Sequence, residues 1–285
     1  MAVLGPGAVG GVLAVGYVDA GVDVVCIGRP ATAELIASRG LTLKRAESAR
    51  TVRPRAATEL REPVDLLLVT VKAPSLDDAL DRVQARAESV VPLLNGIEHM
   101  DTLSERLPES HVAGASIGRI EAWLEQPGVV VQPTPSVVMT TAADAPVDLL
   151  CRSGVEVRAN GSAKEVLWEK LARQAPTAAA TSIAQRPIGE LRSDSDWRGR
   201  LRAGIEEACE VAARDGVALS ADAEWEIIEG MPPLLTSSTA RDIAAGVPSE
   251  LDAITGAAVR AGKRLGVDTP VLTQMFEEAC RASSR

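Results

Sequence analysis

Three groups of residues have the types and spacing to do chemistry. The first is Gly5-Pro6-Gly7-Ala8-Val9-Gly10, set between an apolar run at 1–4 and a helical pattern carried by Val9, Leu13 and Tyr17. In a strand–turn–helix setting this G-x-G-x-x-G spacing is a dinucleotide fingerprint. Gly5 permits the tight turn, Gly7 lets a pyrophosphate approach the backbone, and Gly10 lets the helix pack close to the strand. The helix N-terminus then offers free N–H groups and partial positive charge to the phosphates. A glycine turn with only a packing role is the competing reading.

The second group lies on the same predicted sheet edge. An apolar strand at 22–27 runs into Gly28-Arg29-Pro30, without the carboxylate that NAD-preferring folds place there for the ribose 2′-hydroxyl. The planar fork of Arg29 suits a 2′-phosphate instead, so NADPH (NADP when oxidised) is the expected cofactor. Lys72 closes the nearly continuous apolar run at 65–72, and Asn95 follows the run at 90–94. Both fall where open α/β sheets bind ligands, although Asn95-Gly96 also reads as a plain turn.

The third group is on a helix predicted at 163–174. At 100° per residue Val166, Leu167 and Leu171 define its apolar face, and Lys170 falls between Val166 and Leu167, with Gln174 on the same face. A lysine there either snorkels or is held partly desolvated, which lowers its pKa toward a value useful for proton transfer. Glu250 sits in the first turn of a helix predicted at 250–265, after Ser249-x-x-Asp252, a capping-box-like start. Taken alone it reads as a partner of the helix dipole.

The elements that must position these groups change character along the 285 residues. Helices at 31–39 and from Ser75 to 85, and strands at 41–44, 49–52, 65–72 and 90–94, alternate in the way of a parallel α/β sheet. From 111, short strands in VAGASIGRIEAW, PGVVVQP and SVVMTT read as hairpins extending that sheet, with a last strand at 155–158. Beyond Asn160-Gly161 the strand signals stop. Helices are expected at 163–174, 199–214, 221–229, 250–265 and 270–282. The expected domains are 1–161 and 162–285: an α/β, Rossmann-type dinucleotide-binding domain, then an all-helical one.

Composition bounds the partners. With 46% hydrophobic and 24% charged residues the chain reads as a globular protein, and one Phe and one Tyr leave the core to Ala, Val, Leu and Ile. A formal charge of -9 argues against a general nucleic-acid binder. No run is long enough for a membrane span. Cys26, Cys151, Cys209 and Cys280 have no CxxC spacing, which fits buried reduced thiols and a cytoplasmic setting. His99 and His111 are too isolated for a metal site, and none is expected.

These pieces resemble the ketopantoate reductase (2-dehydropantoate 2-reductase) family nearly end to end. The resemblance rests on GPGAVG at 5–10, Arg29, VTVKAPSLDDAL at 69–80, LLNGIEHM at 93–100, PGVVVQP at 127–133, LWEKLA at 167–172 and SSTARDIAAGVPSELD at 237–252. It implies an NADPH-binding Rossmann domain, a helical second domain and an active site in the cleft between them. The reaction implied is reduction of a small 2-oxo acid, 2-dehydropantoate to pantoate in pantothenate biosynthesis. Gly5, Gly7 and Gly10 would hold the pyrophosphate, Arg29 with Lys72 would favour NADPH, and Asn95 would line the cofactor and substrate site. Lys170 matches the catalytic lysine, Glu250 an acidic residue that contacts the substrate hydroxyl, and Ser237 a serine that binds the substrate carboxylate. A homodimer through the helical domain is open on the same grounds.

The chain departs from the family motif four and eight positions after Lys170, where asparagines are replaced by Gln174 and Ala178. Losing a hydrogen-bonding partner weakens binding by roughly 1 to 3 kcal/mol per unmatched group. Two alternatives therefore stand beside ketopantoate reduction: a reductase of the same fold acting on a different ketone or imine, and a non-catalytic NADPH-binding regulator.

Overall fold

A computed structural model describes residues 1–283, with the backbone but not the side chain of Arg119. The chain divides into two compact units. The first is Met1–Leu94 with His99–Val166; the second is Leu167–Arg285 together with the short segment Asn95–Glu98.

The first unit is built on a six-stranded sheet in which every neighbouring pair is parallel. Its spatial order is Arg55–Ala57, Val25–Ile27, Ala2–Leu4, Val64–Val69, Ala87–Pro92, His111–Val112. Numbered along the chain, that order is 3-2-1-4-5-6, the doubly wound arrangement of dinucleotide-binding folds. Parallel strands buried on both faces need continuous apolar runs. Leu66, Leu67, Leu68 and Val69 are each at most 1% exposed, and burying each such side chain contributes on the order of 2 kcal/mol.

Of the strands expected to extend this sheet, His111–Val112 joins it and the later ones do not. Trp123–Gln126, Val129–Val131, Leu41–Arg45 and Ser48–Val52 form a separate four-stranded sheet, with Val129–Val131 parallel to Leu41–Arg45. Glu156–Ala159, Val138–Thr141 and Ala115–Arg119 form a third. Hairpin signals specify local pairs such as Trp123–Gln126 with Val129–Val131, whereas the second partner of Val129–Val131, Leu41–Arg45, lies far back in the chain, where local patterning does not reach. The helix expected from Ser75 to 85 is also shorter. A 3₁₀ turn at Ala73–Ser75 leads into Leu76–Leu80, and the Ser75 side chain makes no capping bond.

The second unit is helical. Its organising element is Ala163–Ala184, which begins in the first unit and continues through Pro176, beyond the predicted end at Gln174. Proline removes one backbone donor from a helix. Here Ala172, Ala175, Ala178, Ala179 and Ala180 are all buried in the core of the unit, so packing on both sides of the proline outweighs the lost bond. The later helices include Ser195–Arg214, Ala221–Gly230, Ser238–Ala244, Ala257–Leu265 and Pro270–Ser283. A π-helical turn, Asp252–Gly256, precedes Ala257–Leu265. No helix among the described residues is long and apolar enough to cross a membrane. Of the cysteines, Cys26 and Cys209 are buried but Cys151 is exposed, contrary to the expectation of four buried thiols.

Candidate functional site

The glycine turn lies at the switch point of the parallel sheet, at the C-terminal end of Ala2–Leu4. The Gly5 amide donates to Ile27 O at 2.9 Å, and the Thr70 amide donates to Leu4 O at 2.9 Å, so the turn is tied to both neighbouring strands. The Thr70 hydroxyl lies 2.7 Å from Gly5 O and 3.1 Å from Leu4 O.

Each glycine answers to a different demand. Gly5 has φ +86°, which L side chains rarely adopt. A Cβ on Gly10 would stand 2.3 Å from Thr70 Oγ1 and 2.6 Å from Gly5 O. A Cβ on Gly7 would meet nothing nearer than Gly5 O at 3.9 Å, so packing within the chain does not require glycine there. Helix Ala8–Asp19 starts at Gly7 with no side-chain cap. An uncapped helix start beside an unfilled glycine fits a pyrophosphate held by backbone N–H groups.

Arg29 and Lys72 flank this edge within the first unit. Arg29 is exposed at the start of helix Pro30–Arg39, after Gly28, whose absent Cβ would lie 3.6 Å from Pro6 Cδ. Lys72 is exposed and follows Val71, which packs against Gly5. Their charges suit the phosphates of a nucleotide.

The second unit gathers four of the remaining expected residues. Lys170 Nζ donates to Asn95 Oδ1 at 2.8 Å, Gln174 Nε2 donates to the same oxygen at 3.1 Å, and Asn95 Nδ2 donates to Glu250 Oε2 at 2.8 Å. The polarity of this chain is set by its charged ends. An ammonium can only donate and a carboxylate only accept, so Asn95 must turn its oxygen to Lys170 and its amide to Glu250. Gln174 must then offer its NH₂ to Asn95. Its own Oε1 is left buried with no hydrogen-bond partner.

Electrostatics follow from the same geometry. Burial lowers the Lys170 pKa from 10.5 to about 8, with Arg173 pushing the same way and the Glu250 carboxylate opposing. Arg173 is itself paired with the buried Glu224 at 2.8 Å. Glu250 is only 7% exposed, so it is not the solvated helix-dipole partner that periodicity suggests. Nor does Ser249 build a capping box with Asp252, because its hydroxyl only approaches the Leu251 amide at 3.5 Å.

Ser237 stands apart from this quartet. It caps helix Ser238–Ala244 by accepting from the Ala240 amide at 3.0 Å, and its oxygen is 2.7 Å from Thr181 Oγ1. Either hydroxyl of that pair can donate, and Thr181 Oγ1 also lies 2.8 Å from Thr177 O. Ala178 is 1% exposed in the apolar core and offers no polar side-chain atom.

Sequence reasoning missed Thr70, Glu98 and Arg260. Thr70 had a signal, being the first polar residue after a buried parallel strand. Glu98 and Arg260 had none, since the spacing of a single charged residue says nothing about a partner far away in the chain. Their partnership is a long-range contact.

Two protein-family models match the chain: Ketopantoate reductase PanE/ApbA over residues 1–145, and Ketopantoate reductase PanE/ApbA C terminal over residues 162–279. A 2-dehydropantoate 2-reductase of Caulobacter vibrioides is 30% identical, over 95% of this chain and 94% of its own length. Among solved structures, a PanE/ApbA family ketopantoate reductase from Ralstonia eutropha has a TM-score of 0.87 at 29% identity, covering 99% of this chain and 98% of that one. D-mandelate dehydrogenase, solved with NADH and anilino(oxo)acetate, shares the fold with a TM-score of 0.90 at 22% identity, covering 99% of this chain and 97% of that one.

Proposed function

The chain belongs to the ketopantoate reductase PanE/ApbA family and is an oxidoreductase of that family, and from that premise we propose that it reduces a small 2-oxo acid with NADPH. The first substrate to test is 2-dehydropantoate, which would place the enzyme in pantothenate biosynthesis. One observation carries the reading: a partly buried lysine whose pKa is near 8, held by an amide that is itself held by a buried carboxylate.

In this reading the first unit binds the nucleotide. Gly5, Gly7 and Gly10 shape the turn, the open helix start receives the pyrophosphate, and Arg29 with Lys72 takes the extra phosphate of NADPH. When bound, the reduced nicotinamide supplies the hydride for the carbonyl carbon. Lys170 stabilises the negative charge that develops on the carbonyl oxygen and donates a proton to it. Asn95 aims Lys170 and Glu250 by bonding to both, and Glu250 keeps the ammonium charged against the cost of burial. Gln174 Oε1 is an acceptor awaiting a donor, so the substrate would carry an O–H or N–H at that point.

A second reading, a reductase of the same fold acting on another ketone or imine, is favoured by Ala178. The Ala178 side chain itself has no polar atom with which a second polar group of the substrate could pair. Oxidation of NADPH in the presence of 2-dehydropantoate, a panel of 2-oxo acids and cyclic imines separates the two. The highest kcat/KM with 2-dehydropantoate supports the first, a cyclic imine or another ketone in its place supports the second, and nucleotide binding without turnover on any of them sinks both. In the same assay Arg29→Ala should raise the Kd for NADPH about tenfold, the loss expected when a charge-assisted bond is removed, with NADH unaffected. Equal losses for the two nucleotides would remove Arg29 from its role.

A further inference from the structure

The segment Asn95–Glu98 and the turn Asp252–Gly256 each lie next to a member of the quartet, and one side chain joins them. Arg260 grips Glu98 bidentately, Nε to Oε1 at 2.8 Å and Nη2 to Oε2 at 2.7 Å. The same guanidinium donates through Nη1 to Asp252 Oδ1 at 2.8 Å, and through Nη2 to Asp252 O at 3.0 Å and Oδ2 at 3.1 Å. Glu98 is three residues beyond Asn95, and Asp252 is two residues beyond Glu250.

The backbone is shaped around this grip. Gly96 has φ +86°, and a Cβ there would come 2.0 Å from Ala253 O, so the segment lies directly on the turn. A Cβ on Gly256 would stand 2.9 Å from Asp252 Oδ1 and 3.0 Å from Arg260 Nη1, so a side chain there would crowd the ion pair. The buried Thr255 hydroxyl donates to Ala175 O at 2.8 Å, tying the turn to the helix that carries Lys170 and Gln174. Isolated surface ion pairs contribute little. A bidentate arginine joining two carboxylates in a network is the recognised exception.

We propose that Arg260 is a positioning residue for the reaction, a latch that sets the spacing of Asn95 and Glu250 and through them the placement of Lys170. The latch acts through Asn95 and Glu250, and it rests on the reductase reading only for its catalytic consequence. Without it the Asn95 segment can lift from the turn, the Asn95–Glu250 bond lengthens, and water reaches the amine. Misplacement on the scale of 1 Å is enough to lower kcat by about tenfold to a hundredfold.

The test uses Arg260→Gln, Glu98→Gln and the double variant of the full chain, with Glu98→Gln retaining the Arg260–Asp252 bonds in case the first fails to fold. Two readouts are taken well below the unfolding temperature. One is the titration of the Lys170 amine by NMR of chains with isotope-labelled lysine, the signal being assigned by its loss in Lys170→Arg. The other is kcat and KM across pH. The latch predicts that the amine midpoint rises by about one pH unit as Lys170 is rehydrated, that kcat falls at least about tenfold with KM for NADPH unchanged, and that the double variant is no worse than the more impaired single one. A folded variant with an unmoved amine midpoint overturns the proposal, as do effects of the two substitutions that simply add. If the wild-type chain reduces no carbonyl, the reductase reading falls while the amine titration still decides the latch.

Discussion

The two units hold their candidate polar groups in opposite ways. In the first, the glycine turn offers backbone N–H groups whose directions follow from the fold, with Gly5 and Gly10 required by the path of the chain itself. In the second, the polar groups are side chains from three separate stretches, Asn95, Lys170 with Gln174, and Glu250, aligned by hydrogen bonds to one another. A site made of backbone is insensitive to pH and fails when packing fails. A site made of ionisable side chains can be silenced without unfolding anything, and its strength follows protonation.

The sharpest way to break this contrast is Lys170→Met. It should lower kcat for reduction roughly a thousandfold, within the range for removal of a general acid, while the Kd for NADPH stays near the wild-type value. Single-turnover kinetics beside fluorescence titration would check both halves. Substantial residual kcat would take the acid role away from Lys170.

Next come the paired substitutions Gly10→Ala and Gly7→Ala. The first drives a methyl group against Thr70 Oγ1 and Gly5 O and should lower stability by about 1 to 3 kcal/mol, seen in denaturant unfolding. The second meets no close neighbour and should leave stability within about 0.5 kcal/mol of wild type, yet weaken nucleotide binding about tenfold. Unchanged binding in Gly7→Ala would mean that the turn holds no pyrophosphate.

The smallest effect is the pH response. With Lys170 as the proposed proton donor and its pKa lowered to about 8, the donor form is nearly full at pH 7, half present at pH 8 and lost above it. The kcat for reduction should therefore fall as pH rises through about 8, by at most about tenfold per unit. Oxidation of the product alcohol, which needs the neutral amine as base, should rise over the same interval. A flat reduction profile from pH 7 to 9.5 would detach the chemistry from this amine.

Legibility differed between the units for physical reasons. The glycine turn and its flanking strand and helix span fewer than thirty residues, and local spacing specifies them. The strand Arg55–Ala57 escaped notice because three residues at a sheet edge, without a β-branched or aromatic side chain, carry almost no period-2 signal. In the second unit the anomaly of Lys170 on an apolar face was readable. The connection of that lysine to Asn95, 75 residues earlier, was not. Periodicity alone reads Glu250 as a helix-dipole partner because it reports the face of a single helix, whereas burial depends on what other segments lie against it. The helix expected over 163–174 runs on to Ala184 because the buried alanines around Pro176 outweigh its local penalty.

What the order of residues determined by itself was everything that depends on neighbours in the chain: the alternation of apolar strands and helices, the turn chemistry at 5–10, and the presence of a cation where a helix should be greasy. Tertiary structure alone decided which strands share a sheet, that Glu250 is buried, and that Asn95 is the junction between an ammonium and a carboxylate. The reason is that hydrogen-bond polarity and desolvation depend on groups brought together from distant segments, and those groups leave no periodic trace in the segments that supply them.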